Sequence, residues 1–307
     1  QSDVPVGVLL SGGVDSSLVA MVAAEQSQTP IRTFTASFRS AGFDEAPYAD
    51  RVARHVSSIH SITEVGMGDV PAILPRLVEA YGEPFGDESA LPCYSIFGAI
   101  KPPVKVVLTG DGGDEAFGGY KDAKLFLLRS KLDKLVGLGD WIHGGILASL
   151  LGSDSSLLRK LGYGGMALRN DGARAFCSLI RGGWTLEYRR RFFRREIWKR
   201  TGEGEVENEV RRRFSNSGGS DLERYLNMTL ERLTQCYLVK IDRASMAHSI
   251  EARSPFLDGD LLGKATGSAP GLLFRGGANK PVLKDLLGRR IGEKFSRRPK
   301  MGFSPPL

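Results

Sequence analysis

The chain has 307 residues, 41% hydrophobic and 25% charged, the proportions of an ordinary globular fold and not of a disordered or fibrous one. Its net charge of +7 gathers in Arg189–Arg195, Arg211–Arg213 and Arg289–Lys300 without the interleaved aromatics of single-strand binders, so these read as solvated helix faces and polyanion-binding edges, with nucleic acid disfavoured. No apolar run reaches the roughly 18 residues of a membrane span. Three scattered cysteines (Cys93, Cys177, Cys236) form no C-x-x-C pair, which disfavours disulfide and zinc frameworks and fits a reducing cytoplasm.

The first third alternates strands and helices. An apolar β-branched run, Val6–Leu10, predicts a buried strand, followed by a helix to about Gln26. Ile31–Phe38 predicts a second strand before a helix near Ala46–His55, and Ser61–Val65 a third before a helix near Val70–Tyr81. A helix near Tyr94–Ile100 then precedes the strand Val104–Thr109. This βαβα rhythm predicts an open parallel sheet covered by helices, with ligands at the carboxyl ends of its strands. From about Gly118 the spacing turns helical, in Lys124–Leu135, Ser155–Leu161, Asp171–Ile180 and Asp221–Ile241, with breaks at Gly162–Gly165 and Ser215–Ser220. The expected organisation is therefore an α/β core over residues 1–120 and a helical extension over 121–307.

The most telling segment is VPVGVLLSGGVDSS, Val4–Ser17. A strand that runs into two glycines and a helix start puts unpaired backbone N–H groups and the positive end of a helix dipole in one place, where phosphate binds. Ser11, Ser16 and Ser17 add hydroxyl donors. No Gly-Lys-Ser/Thr follows the glycines, so this is not a Walker A loop. Asp15 stands there instead, and a carboxylate beside phosphate needs an intervening cation, which implies Mg²⁺.

A second strand-to-glycine turn follows in Val104–Tyr120, VKVVLTGDGGDEAFGGY, with Asp111, Asp114 and Glu115. If its strand neighbours the first, Asp15 and Asp114 converge on one hard cation. Farther on, Leu238–Asp258 reads as a charged helix end running into an extended turn fixed by Pro255. Asn279–Leu286 carries Lys280 and Lys284 one helical turn apart, and a lysine there would suit transfer at a phosphorus. The four histidines (His55, His60, His143, His248) need no catalytic role.

SGGVDSS resembles the pyrophosphate loop of the N-type ATP pyrophosphatases. Taken with TASF (Thr35–Phe38), GEPFGDESALP (Gly82–Pro92), TGDGGDEAFGGY, KIDRASMAHSIEARSPFLD, Lys280–Lys284 and KMGFSPP, it makes nearly the whole chain similar to the synthetase domain of the glutamine-dependent asparagine synthetases. The resemblance implies an open parallel sheet of the adenine-nucleotide α-hydrolase (PP-loop) type with an appended helical region. It places Ser11, Gly12, Gly13, Asp15 and Ser16 on pyrophosphate and Mg²⁺, Leu9 and Ser37 at adenine, Gly110 close to the nucleotide, and Asp114 as second metal ligand. Lys280 would contact the α-phosphate and pyrophosphate. Asp111 would serve the adenylate and ammonia steps, and Glu251 belongs to an E-x-R whose role the resemblance leaves less defined.

The implied reaction uses ATP and Mg²⁺: the β-carboxylate of aspartate attacks the α-phosphorus, and ammonia then displaces AMP to give asparagine. The family's glutaminase half, with its N-terminal catalytic cysteine, is absent here, since Gln1 leads straight into the synthetase part. The chain is therefore expected to be a fragment of a longer enzyme, or to take ammonia from solution or a separate subunit, and its end soon after KMGF is expected to lack a terminal helix. Self-association is left open. The alternatives keep the adenylation and change the acceptor, as in β-lactam synthetases, lasso-peptide cyclases and sugar amidotransferases. The tRNA-lysidine and thiouridine synthetases share the loop but differ in appended domains or reactive cysteines.

Overall fold

A computed structural model of the chain describes residues 3–38, 44–66, 70–83, 85–131, 150, 153, 155, 157–158, 161–162, 172–180, 192–200, 204–268, 270–275 and 278–298. The Gly162–Gly165 break, three of the seven residues of Ser155–Leu161 and the KMGFSPP segment lie largely or wholly outside these residues. Two compact units form: residues up to 117 together with those from 232 onward, and residues 118–231. Where the sequence divides near residue 120, the chain after Arg232 thus packs with the first 117 residues.

The first unit is built on five parallel strands, β1 (Val6–Leu9), β2 (Arg32–Ser37), β3 (Ile59–Glu64), β4 (Val106–Leu108) and β5 (Glu251–Arg253), in the order β3-β2-β1-β4-β5. Gly7 pairs with Arg32 on one side and Val107 on the other. A side chain at Gly7 would meet the Phe34 ring at 2.6 Å, so its absence lets that ring lie across the strand. From central β1 the chain winds outward to β3, then crosses back to β4. The carboxyl ends of β1 and β4 therefore flank the point where the winding reverses, where open α/β sheets leave a crevice.

Helices cover both faces of the sheet. After β1 comes α1 (Val14–Gln26), and α2 (Ala46–His55) joins β2 to β3. Leu18, Val19 and Met21 of α1 and Ala49 and Val52 of α2 pack with Val8 and Leu10 on one face. On the other face, α3 (Val70–Tyr81) and α4 (Ala90–Ala99) bring Leu77, Ile96 and Phe97 against Phe34 and Val107. Each such fully buried side chain contributes about 2 kcal/mol relative to an exposed one. The helix expected from Tyr94 begins four residues earlier because Pro92 falls in its first turn, where a missing N–H costs nothing.

A one-turn helix, α5 (Gly113–Ala116), follows β4, and the chain then enters the second unit. Described helices there are α6 (Ala123–Lys131), α7 (Gly172–Ile180), α8 (Arg195–Arg200), α9 (Glu205–Asn216) and α10 (Asp221–Arg232). Phe126, Phe176, Phe214 and Tyr225 form an aromatic cluster, with Phe126 stacked on Tyr225 at 4.5 Å between centroids. Buried Arg129 is held by Asp221, with Nε and Nη2 both 2.7 Å from Oδ2.

Where one helix is expected over Asp221–Ile241, α10 is followed by a π-helical turn, Leu233–Tyr237, and by α11 (Leu238–Met246). The extended turn expected after it is strand β5 at the sheet edge. Beyond a 3₁₀ turn, Pro255–Leu257, come α12 (Gly259–Thr266), α13 (Pro270–Leu273), a two-stranded ribbon of β6 (Phe274–Arg275) and β7 (Ala278–Asn279), α14 (Pro281–Ile291) and α15 (Glu293–Ser296). Leu283 and Leu287 of α14 and Phe295 of α15 complete the core beside α1.

Candidate active site

The turn after β1 is cross-linked by its own serines. Ser11 N–H donates to Ser16 Oγ at 3.2 Å, the two hydroxyls lie 2.9 Å apart, and Gly13 N–H donates to Ser11 Oγ at 3.2 Å. Gly12 has φ +71°, and a Cβ there would fall 2.6 Å from the Ala49 nitrogen and the Tyr48 carbonyl carbon, so only glycine fits. Gly13 caps α1 with no side-chain bond to its first turn. At this end of the 13-residue helix the dipole favours negative charge. Arg298 Nη2 donates to the Gly12 carbonyl at 2.8 Å.

The turn after β4 closes directly against the first. A Cβ on Gly113 would stand 2.7 Å from Asp15 Cγ, and one on Gly110 would stand 3.0 Å from the Ser16 nitrogen. These two glycines let the turns approach, which brings Asp15 and Asp114 to one point. Both carboxylates bond the same cation: Lys280 Nζ lies 2.5 Å from Asp15 Oδ2 and 2.5 Å from Asp114 Oδ1. Lys280 is buried, with only 6% of its side chain exposed, and caps α14 in a left-handed conformation, φ +50°. A lysine held there carries backbone strain of order 1 kcal/mol, the kind that clusters at functional sites. Burial opposes its charge, yet the two carboxylates outweigh that and raise its pKa above the ordinary value. Lys284 does not join this cluster through its backbone position alone: it sits one turn along α14 and its N–H bonds the Lys280 carbonyl.

Asp111 begins the second turn. Burial pushes its carboxyl above the ordinary range, against the Thr109 hydroxyl bond and the nearby Lys240 charge. Lys240, on α11, belongs to a second, part-buried cluster: its Nζ bonds Asp87 Oδ2 at 2.9 Å and Ser89 Oγ at 2.6 Å. Leu9 and Ser37 stand near the carboxyl ends of β1 and β2, where the Thr35 hydroxyl donates to the Leu10 carbonyl and Leu10 N–H to the Phe34 carbonyl. The structure does not bring Glu251 to this cluster. It stands at the amino end of β5, in register with Val106, exposed and paired with Arg253 at 2.7 Å.

Sequence reasoning missed Arg298 and the Asp87–Ser89–Lys240 cluster. The available signals were Asp-x-Ser just before a helix, a capping pattern, and a lone lysine in the apolar run Leu238–Ile241.

The donor set fits a hard cation. Two carboxylates from neighbouring turns already share one positive atom, beside the paired hydroxyls of Ser11 and Ser16. Among the described residues no group of three or more His, Cys, Asp or Glu side chains converges. Two carboxylates are the share that a protein gives magnesium, whose remaining ligands are phosphate and water oxygens.

The chain matches the asparagine synthase family model over residues 1–307. It is 31% identical over its whole length to 46% of a protein of Mycobacterium tuberculosis whose name marks it as a candidate glutamine-hydrolyzing asparagine synthetase. It is 26% identical, again over its whole length, to 47% of glutamine-hydrolyzing asparagine synthetase 1 of Bacillus subtilis. A glutamine-hydrolyzing asparagine synthetase homologue of Methanocaldococcus jannaschii shares 40% identity over 39% of the chain. The chain spans about half the length of the first two of these relatives. With the parallel sheet, the paired glycine turns and this full-length match, the chain belongs to the asparagine synthase family.

Proposed function

We propose that this chain is the synthetase part of an amide-forming ligase that adenylates the side-chain carboxylate of aspartate and passes the acyl group to ammonia. The observation that carries the reading is the joining of Asp15 and Asp114 by Lys280 Nζ, 2.5 Å from each, where the winding of the sheet reverses. The loop of Ser11, Gly12, Gly13 and Ser16 binds pyrophosphate through N–H and hydroxyl groups, and Leu9, Ser37 and Gly110 border the nucleotide. Asp15 and Asp114 would hold magnesium, which supplies charge neutralisation to the phosphates.

A carboxylate is already a nucleophile, so the first step needs positioning and charge stabilisation, not a general base. Its oxygen bonds the α-phosphorus as the bond to the bridging oxygen breaks, and pyrophosphate leaves with that electron pair. Lys280 stabilises the charge that develops. Ammonia then attacks the acyl carbon, AMP departs, and Asp111 takes the proton shed by nitrogen. A carboxyl held above its usual range by burial is the better proton acceptor. The ammonia comes from a glutaminase domain or subunit, as the names of the longer relatives support. The three cysteines are widely spaced with no C-x-x-C pair, and the proposed setting is a reducing cytoplasm.

Chromatography of the nucleotide products with aspartate and ammonium present tests the proposal. AMP and pyrophosphate are expected, and ADP with phosphate would sink it. Replacing aspartate by other carboxylic acids in a pyrophosphate-release screen separates this acceptor from those of the lactam, peptide and sugar branches. Ammonium is expected to support turnover where glutamine does not.

A further inference from the structure

We infer that Arg298 is a positioning residue of the pyrophosphate loop, pinning the Gly12–Gly13 peptide so that its N–H faces into the anion cradle. The inference rests on reading that loop as the pyrophosphate site. Two adjacent glycines make this peptide the least restrained in the turn: neither residue has a Cβ to oppose rotation of the plane. The function requires one orientation of it. In a trans peptide the carbonyl of one residue and the N–H of the next point in opposite directions. A bond that holds the Gly12 carbonyl on one side therefore fixes the Gly13 N–H on the other.

Arg298 makes that bond, Nη2 to the Gly12 carbonyl at 2.8 Å. On the opposite side Gly13 N–H meets Ser11 Oγ at 3.2 Å, and Ser11 Oγ lies 2.9 Å from Ser16 Oγ. One peptide thus links the arginine to the hydroxyl pair. The guanidinium is itself fixed from several directions. It lies 4.0 Å over the Tyr48 ring and 5.8 Å from the Phe295 ring, and 3.8 Å from Glu45 Oε1. Its side chain is only 13% exposed. Tyr48 also forms the floor under Gly12, so the same α2 residue supports the loop from below and the arginine from the side. Because the guanidinium is planar and its fork rigid, it sets a direction where a lysine would supply only a point charge.

The test is calorimetric titration of the chain with magnesium pyrophosphate, alongside steady-state kinetics and unliganded thermal melting. Arg298→Met keeps an aliphatic stem over Tyr48 and Phe295 while removing the donor. It is expected to weaken pyrophosphate binding and raise KM for ATP, each about tenfold, the size of one lost charge-assisted bond. KM for the acceptor should stay unchanged, and the unliganded midpoint should stay within about 1 °C. Arg298→Lys should fall between the two. Unchanged pyrophosphate affinity in Arg298→Met overturns the inference. So does a loss of affinity matched by an equal fall of the unliganded midpoint in both variants, because that marks a merely structural contact. If the unaltered chain binds pyrophosphate but forms no AMP, the adenylation reading fails while this one stands.

Discussion

Two paired lysines, Lys280 buried and Lys240 largely so, serve opposite purposes in the same unit. Lys240 meets one carboxylate, Asp87, and one hydroxyl, Ser89, so its charge is balanced within the protein. Lys280 meets two carboxylates, Asp15 and Asp114, and that trio keeps one negative charge over. The first arrangement is complete as it stands and ties α11 to the start of α4. The second joins the turns that follow β1 and β4, where the winding of the parallel sheet reverses. A buried ion pair alone marks no active site. One that joins two glycine turns at that reversal is the candidate.

The largest effect should come from Lys280→Met, which removes the positive atom and leaves two carboxylates facing each other. Turnover is expected to fall about a hundred- to a thousandfold, the usual loss for one transition-state donor. ATP binding should weaken far less. Without divalent cations the variant should melt lower than the unaltered chain, and added magnesium should raise its midpoint by more. A variant equally stable with and without magnesium would show that the charge balance drawn here is wrong.

Gly113→Ala comes next. Its methyl would stand 2.7 Å from Asp15 Cγ and must push that carboxylate off Lys280. Overpacking of this kind costs about 1–3 kcal/mol, and turnover should fall about ten- to a hundredfold, since small misplacements of a reacting geometry are felt strongly. Melting and pyrophosphate release check both effects, and full activity would mean that the two turns need not touch.

Asp87→Ala tests the balanced cluster. It leaves Lys240, whose side chain is 11% exposed, with only a hydroxyl, and should cost about 2–3 kcal/mol, below the loss for a fully buried pair. Measured by denaturant melts, that loss should come with a KM for ATP near normal. The pH dependence follows from the two directions. Asp87 is held below its ordinary value: burial works against its charge, but Lys240 and Ser89 prevail. Its contribution is therefore complete above the ordinary carboxylate range and disappears as pH falls through the lowered value. Lys240 is held above its ordinary value despite burial, by the surrounding acidic groups, so its contribution persists through neutral pH and is lost only at strongly alkaline pH. In the unaltered chain the pair should thus show no change between pH 6 and 8, and a midpoint that moved there would point to another group.

Much of this was legible in the residues, for identifiable reasons. Strands β1, β2 and β4 and helices α1 to α3 stand out because buried parallel strands are runs of apolar, often β-branched residues and their helices have apolar stripes, while the exposed edge strand β3 shows only its Ile and Thr residues. Asp15 and Asp114 are recognisable because each follows a strand and a glycine pair. Strand β5 escaped because it is three residues long at a sheet edge, with Glu251 and Arg253 outward and only Ala252 turned inward, a pattern identical to a charged turn. Arg298 escaped because it lies 286 residues from the carbonyl it holds, and no local spacing encodes such a contact.

The smallest effect should be that of Glu251→Gln. The side chain of Glu251, at the amino end of β5, is 56% exposed, and that of Arg253, with which it pairs, 45%. An exposed pair of this kind contributes about 0–1 kcal/mol, most of it lost to salt screening and side-chain entropy. The site, by contrast, is built on the turns that follow the carboxyl ends of β1 and β4, while Glu251 stands level with Val106, the first residue of β4. Pyrophosphate release by Glu251→Gln should therefore match the unaltered chain within about twofold, and the melting midpoint should hardly move. A loss as large as that of Lys280→Met would require Glu251 to reach the carboxyl end of the sheet, and would give the E-x-R the role that the family resemblance leaves undefined.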